Sequence, residues 1–121
     1  MIEYKHDLDL FPLITNRSIV NITPKRIFLD WISYINGSDY LDGQNQFEPI
    51  SFLISDFECK KEFDDWLNMN FKLLFDIRLN YSRIDRTLWP EVRTLEVFNN
   101  WFDVRYCNLV LDLEVEAICT I

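Results

Sequence analysis

The sequence predicts an α+β domain: a two-layer sandwich in which a mixed sheet of three to four strands is covered mainly on one face by two long helices and one short helix. Three observations lead there. Apolar and charged residues alternate at both ends of the chain, from Ile2 to Leu10 and from Val104 to Ala117, which is the period of half-buried strands. Between them, Ile27-Phe28-Trp31-Ile32-Ile35 and Phe63-Trp66-Leu67-Phe71-Leu74-Phe75 recur at helical spacing, each as one continuous stripe. The 121 residues fit one domain, since a single core typically organises about 100–150 residues, so 1–121 read as a unit without a linker or repeat.

In chain order, Ile2, Tyr4, Leu8 and Leu10 form the inward face of a first strand, with His6 on the same face. Ser18 to Ile22 is a short β-rich run. Thr23-Pro24 reads as a helix start, with Thr23 accepting from an orphan N–H and Pro24 at the first helical position, where a missing donor costs nothing. Asn36-Gly37 ends that helix. Gly37 to Glu48 is a polar loop, and the apolar run Ile50 to Ile54 reads as a central strand.

Ser55-Asp56-Phe57-Glu58 fits a capping box, so a second helix should follow directly and run to about Leu79. Its outer face carries Glu62, Asp65, Lys72 and Asp76. Arg78 to Arg93 is irregular and basic, after which Thr94 caps a short third helix through Phe102. The last strand turns Leu109, Leu111, Leu113, Val115 and Ala117 inward and Asp112, Glu114 and Glu116 outward, an acidic edge of the kind that resists edge-to-edge aggregation. The order β, β, α, β, α, α, β suits a sheet with helices on one side.

Composition narrows function mainly by exclusion. Twenty acids against twelve bases give a net charge of −8, which disfavours nucleic acid, whose phosphates need a basic face, and favours a basic partner or merely solubility. Ten Phe, five Tyr and four Trp supply a core held by packing. Cys59, Cys107 and Cys119 have no CxxC spacing, which points to no disulfide framework, no zinc site and a reducing cytoplasm. The first residues lack the basic and apolar regions of a signal peptide, and no apolar run approaches the ~20 residues of a membrane span.

With Gly37 and Gly43 the only glycines, no Gly-rich phosphate loop can be built, and no GxSxG or HExxH motif occurs. His6 is the single histidine, so paired-histidine metal sites and His-activated nucleophiles lack a member. Carboxylates cluster at Asp39-Asp42, Asp64-Asp65 and Asp112-Glu114-Glu116, but nothing in their spacing selects an acid–base pair, and the loop from Asp39 to Glu48 departs from the EF-hand pattern. They read as solvated surface. Cys59 sits near a helix start, with no histidine other than His6 available to activate it, while Cys107 and Cys119 read as small strand hydrophobes. No metal and no cofactor are indicated.

One constellation supports a sharper expectation. Arg83, Arg86 and Arg93 precede Thr94 at a helix N-terminus, a setting that stabilises anions. The plainer reading pairs these arginines with Asp76, Asp85, Glu91 and Asp103 and makes Trp89-Pro90 a hydrophobic plug that holds the loop to the core.

The segments Pro24-Lys25-x-x-Phe28-Leu29-Asp30-Trp31-Ile32, Leu88-Trp89-Pro90-x-x-Arg93-Thr94 and Phe98-x-x-Trp101-Phe102-Asp103 resemble a family of small bacterial proteins that has no established activity. The likeness covers about Arg17 to Leu113 and implies fold and bacterial origin only. The functional expectation is therefore a non-catalytic protein-binding module, an immunity-type inhibitor or small regulatory adaptor. It would offer an acidic face (Glu62, Asp65, Asp112, Glu114, Glu116) to a protein partner. The alternatives are an anion-binding domain or unrecognised enzyme at Arg83, Arg86, Arg93 and Thr94, and a structural homo-oligomer joined through the last strand.

Overall fold

The computed structural model describes residues 11–36 and 48–114. The first predicted strand, most of the polar loop after Gly37 and the end of the last strand lie outside the described residues. What remains is an α+β fold of three strands and three helices. In chain order these are β1 (Arg17–Pro24), α1 (Arg26–Asn36), β2 (Ile50–Ser55), α2 (Lys60–Tyr81), α3 (Leu95–Trp101) and β3 (Phe102–Cys107).

β1 alternates cleanly because every second side chain must point to the helices: Ser18, Val20 and Ile22 are buried, while Arg17 is exposed and Ile19 and Asn21 are half-covered. It is the central strand of the order β2-β1-β3, and both of its pairings are antiparallel. The described sheet is thus antiparallel rather than mixed. The two strands that run in the same direction, β2 and β3, are kept apart by β1. Among the described residues this order also leaves β2 at an edge of the sheet, where a central strand was expected, and only Ile54 of its residues is buried.

Several boundaries differ from the sequence reading, each because ladder pairing outweighs a local signal. Thr23-Pro24 does not start α1. Pairing with β3 continues to Pro24 opposite Phe102, Thr23 Oγ1 donates to Asn21 Oδ1 at 2.8 Å, and the Lys25 carbonyl takes the first helical N–H groups, from Phe28 and Leu29. The stripe of α1 turns with this start: Phe28, Leu29 and Ile32 are buried and Ile27 is exposed. Ser55 does not cap α2 either, being held in β2 opposite Arg17. Cys59 takes the N-cap position without a side-chain bond, and the Glu62 carboxylate in the first turn accepts the N–H of Glu58, the residue before the cap, at 2.8 Å. Phe57, buried in the turn, fixes the helix entry by packing on Phe63 with ring centroids 5.2 Å apart.

The last strand ends early, at Cys107. Asn108 leaves the ladder and donates Nδ2–H to the Phe57 carbonyl at 3.0 Å, while its Oδ1 lies 2.7 Å from the Ser18 hydroxyl. Ser18 Oγ is also 2.9 Å from Asp56 Oδ1, so one hydroxyl proton is shared between acceptors at the ends of β2 and β3. Beyond this junction, Leu109, Leu111 and Leu113 are exposed rather than inward-facing. Cys107 is likewise an exposed thiol and not a buried hydrophobe.

α2 is the element read best. Phe63, Leu67, Leu74, Phe75 and Leu79 are buried along one face, and Arg78, expected in the irregular segment, is a buried part of the helix. Its guanidinium lies over the Phe28 and Tyr81 rings and donates to the Glu48 carbonyl. Desolvation lowers its pKa. Thr94 caps α3 as expected, its Oγ1 accepting the Val97 N–H at 3.2 Å.

The end of α2 contains one strained residue. Arg83 N–H donates to the Asn80 carbonyl and Ile84 N–H to the Leu79 carbonyl, the two reversed bonds of a Schellman stop, with Ile84 and Leu79 both buried. That stop needs a left-handed residue, and Arg83 supplies it with φ 57° at a position where glycine is usual because a Cβ crowds the backbone. Arg83→Gly is therefore expected to raise stability by about 0.5–1 kcal/mol, the relief of strain exceeding the added freedom of the unfolded chain. Urea denaturation measures this directly; a loss of stability would show that the Arg83 side chain contributes more than its backbone costs.

Candidate functional site

Two regions were expected to carry function, and the fold puts them in different places. The arginine loop lies between α2 and α3. A single 3-10 turn, Arg86–Leu88, is capped by Asp85, whose carboxylate accepts from Thr87 N–H at 3.0 Å and from Thr87 Oγ1 at 2.9 Å. This turn brings Arg86 to Trp89, its guanidinium 5.4 Å from the ring centroid, and Arg93 approaches the same ring at 5.5 Å. The indole N–H donates to the Ile84 carbonyl at 3.0 Å, and the ring packs against the core, as expected of a plug.

Arg93 is also paired with Asp76 of α2 in a half-buried contact. Of the acids proposed to hold the loop, Asp76 does so. Asp85 is occupied by Thr87, and Asp103 pairs with Arg105 at 3.0 Å. The loop thus joins Arg86 and Arg93 at one aromatic ring. Arg83 belongs to the helix stop, and Thr94 Oγ1 is engaged as the α3 cap.

The acidic residues do not share one face. On the first turns of α2, Asp64 pairs with Lys60 at 3.0 Å and Asp65 with Lys61 at 2.8 Å. These hydrogen bonds raise the pKa of both lysines, and the surface there is a lattice of alternating sign. Glu62 is bound to the backbone of Glu58. Asp112 and Glu114 lie on the other side of the sheet, where Asp112 Oδ1 accepts the Glu114 N–H at 2.9 Å. Glu116, with His6, Asp39, Asp42 and Cys119, lies outside the described residues. Among the described residues no group of three or more His, Cys, Asp or Glu is placed to hold a metal ion, and no helix is long and apolar enough to cross a membrane.

The concave feature next to Asp112 was not foreseen. After Asn108 the chain turns back along residues 13–15: Thr15 N–H donates to the Val110 carbonyl at 2.9 Å, Asp112 N–H donates to the Leu13 carbonyl at 2.7 Å, and Ile14 bridges Leu111. This extended segment stands beside the sheet face that carries none of the described helices and encloses an open groove of about 690 Å³ with Arg17, Ile19 and Leu53. Leu53 is 50% exposed and Leu113 63%, so the walls present apolar side chains to solvent. Periodicity alone could not reveal it, because it depends on where β3 stops.

The loop has a definite response to acid. Asp85 has its pKa lowered from 3.8, chiefly by the Thr87 backbone N–H and then by the Thr87 hydroxyl. A carboxylate with a depressed folded-state pKa stabilises above its unfolded value, and that contribution disappears as pH falls through the folded value. The turn that presents Arg86 should therefore hold down to about pH 4 and loosen only below it, visible as faster exchange of the Thr87 amide. In Asp85→Asn the amide should exchange faster than in the parent at neutral pH, without the acid step. An acid step that survives in Asp85→Asn would assign it elsewhere.

Comparison with family models, curated proteins and solved structures finds no match, so the chemistry of the chain's own surfaces has to carry the functional reading.

Proposed function

We propose that this chain is a non-catalytic protein-binding module, in the manner of an immunity-type inhibitor or small adaptor, that takes a basic segment of a partner protein in the groove beside Asp112. The observation that carries the reading is the combination at that groove: apolar walls from Leu53, Leu111 and Leu113 left in solvent, with the carboxylates of Asp112 and Glu114 on the same extended segment. Exposed apolar side chains gathered at a concavity and bordered by charge are the usual marks of a protein contact. Covering them contributes affinity, while the net charge of −8 speeds encounter with a cationic partner and disfavours acidic ones. Glu62 and Asp65 take no part in this version of the acidic face, since they stand on the first turns of α2 and do not line the groove. The exposed free thiols of Cys59 and Cys107 support a reducing, cytoplasmic setting.

A second reading, an anion site or unrecognised enzyme at the arginine loop, is favoured by the two guanidinium groups that share Trp89. One experiment separates the two readings. Tagged wild type, Asp112→Lys/Glu114→Lys and Arg86→Ala/Arg93→Ala are used for capture from lysate of the source cells at low and high salt, with the retained proteins identified by mass spectrometry. A basic protein held by wild type and the arginine variant, released by salt and lost from the charge-reversed variant is the expected outcome. Equal retention by the charge-reversed variant, or retention of no protein by wild type, overturns the groove reading, and loss from the arginine variant alone transfers the site to the loop.

A further inference from the structure

We propose that the segment taken by the groove is bipolar: besides the basic residue that meets Asp112, it carries an acidic residue that meets Arg17. This deepens the groove reading and rests on it. Asp112 is not the sole charge on the lining, since Arg17 stands there as well. Residues at i and i+2 of a strand share a face, so the burial of Ser18 and Val20 toward the helices turns Arg17 to the groove side together with Ile19. Arg17 is exposed, and its Nη1 lies at the long distance of 3.5 Å from the neighbouring Asn16 carbonyl. A segment that is basic throughout would therefore set like charge against this guanidinium.

Charged and apolar side chains follow one order along the groove. Asp112 N–H donates to the Leu13 carbonyl, Ile14 bridges Leu111, and Thr15 N–H donates to the Val110 carbonyl. Asp112 thus lies level with Leu13, and Leu111 and Val110 come next toward Arg17. Beyond Arg17 stand Ile19 and Leu53, which are opposite each other in β1 and β2. The lining reads acid, apolar, base, apolar, and its complement is base, apolar, acid, apolar. Leu13 and Arg17 are four positions apart, so with the spacing of neighbouring strands the two charged residues are at most about 15 Å apart in the backbone. An extended ligand spans that distance with opposite charges about four residues apart. One exposed ion pair contributes little and like charges set together are unfavourable, so the pattern of charge rather than its sum selects the segment.

Two capped peptides probe the pattern, Lys-Leu-Val-Leu-Glu-Leu and Lys-Leu-Val-Leu-Lys-Leu. Each is titrated into the whole chain at physiological salt, and the backbone amide shifts of Leu53, Val110 and Leu111 are followed by NMR. The quantity read is the ratio of the two dissociation constants within one protein, compared between wild type, Arg17→Glu and Arg26→Glu. Arg26 lies on α1, on the other side of the sheet, and is exposed, so its reversal makes the same change in net charge away from the groove. Circular dichroism checks that both variants fold. Arg17→Glu is expected to move the ratio toward the Lys/Lys peptide by on the order of fivefold, and Arg26→Glu to leave it at the wild-type value. A ratio that Arg17→Glu does not move, or that Arg26→Glu moves as far, overturns the bipolar pattern and leaves the groove reading standing. Groove amides that respond to neither peptide at millimolar concentration overturn both.

Discussion

Phe102 is the residue on which the rest of the structure hangs. It ends α3 and begins β3, it stands opposite Pro24 at the end of the central strand, and it is 1% exposed. Its ring meets one aromatic from each helix: Phe28 of α1 at 4.9 Å, Phe98 of α3 at 5.1 Å and Phe75 of α2 at 5.5 Å. Burial of such a ring contributes roughly 1.5–3 kcal/mol, and each favourable ring pair about 0.5–1.5 kcal/mol beyond that. Position matters as much as magnitude here. A direct helix-to-strand junction with no loop holds the angle between the helical layer and the sheet, so α1 and α2 have a single surface on which to settle.

The far end of the sheet is closed by polar chemistry. Ser18, fully buried, lies within hydrogen-bond distance of Asp56 after β2 and Asn108 after β3, so the ends of all three strands meet at one hydroxyl. A buried hydroxyl without a partner costs about 1–3 kcal/mol, which makes this contact selective for a chain that turns at Asn108. The consequence is structural: the turn sends residues 110–113 back along residues 13–15 and creates the groove. Packing at one end of β1 and hydrogen bonding at the other thus decide which sheet face the described helices cover and where the groove forms.

These dependencies explain which features could be read in the sequence. α2 was legible because its aromatic stripe is long and its boundary signals matter little to its identity, and α3 because Thr94 caps it locally. Thr23-Pro24 and Ser55-Glu58 are equally good local signals, yet both residue pairs begin within ladders that continue through Pro24 and Ser55. The alternation of Leu109, Leu111 and Leu113 says that the segment is extended but not that it has left β3. That depends on Asn108 meeting a serine 90 positions earlier. Arg86 and Arg93 meet at the Trp89 ring within one short loop, so their closeness in sequence made the grouping visible. The groove joins segments from opposite ends of the described chain and had no local signature.

Coupling of all three helices to the sheet through Phe102 is read out by native-state hydrogen exchange of Phe102→Leu against the parent. Loss of ring contacts without a full cavity should cost about 1–3 kcal/mol. With Phe102 as the shared contact, the slowest amides of α1, α2 and α3 should all lose protection by that same amount, matching the fall in global stability. Protection lost only in α3 and β3, with α1 and α2 unchanged, would contradict it and leave Phe102 as a local contact.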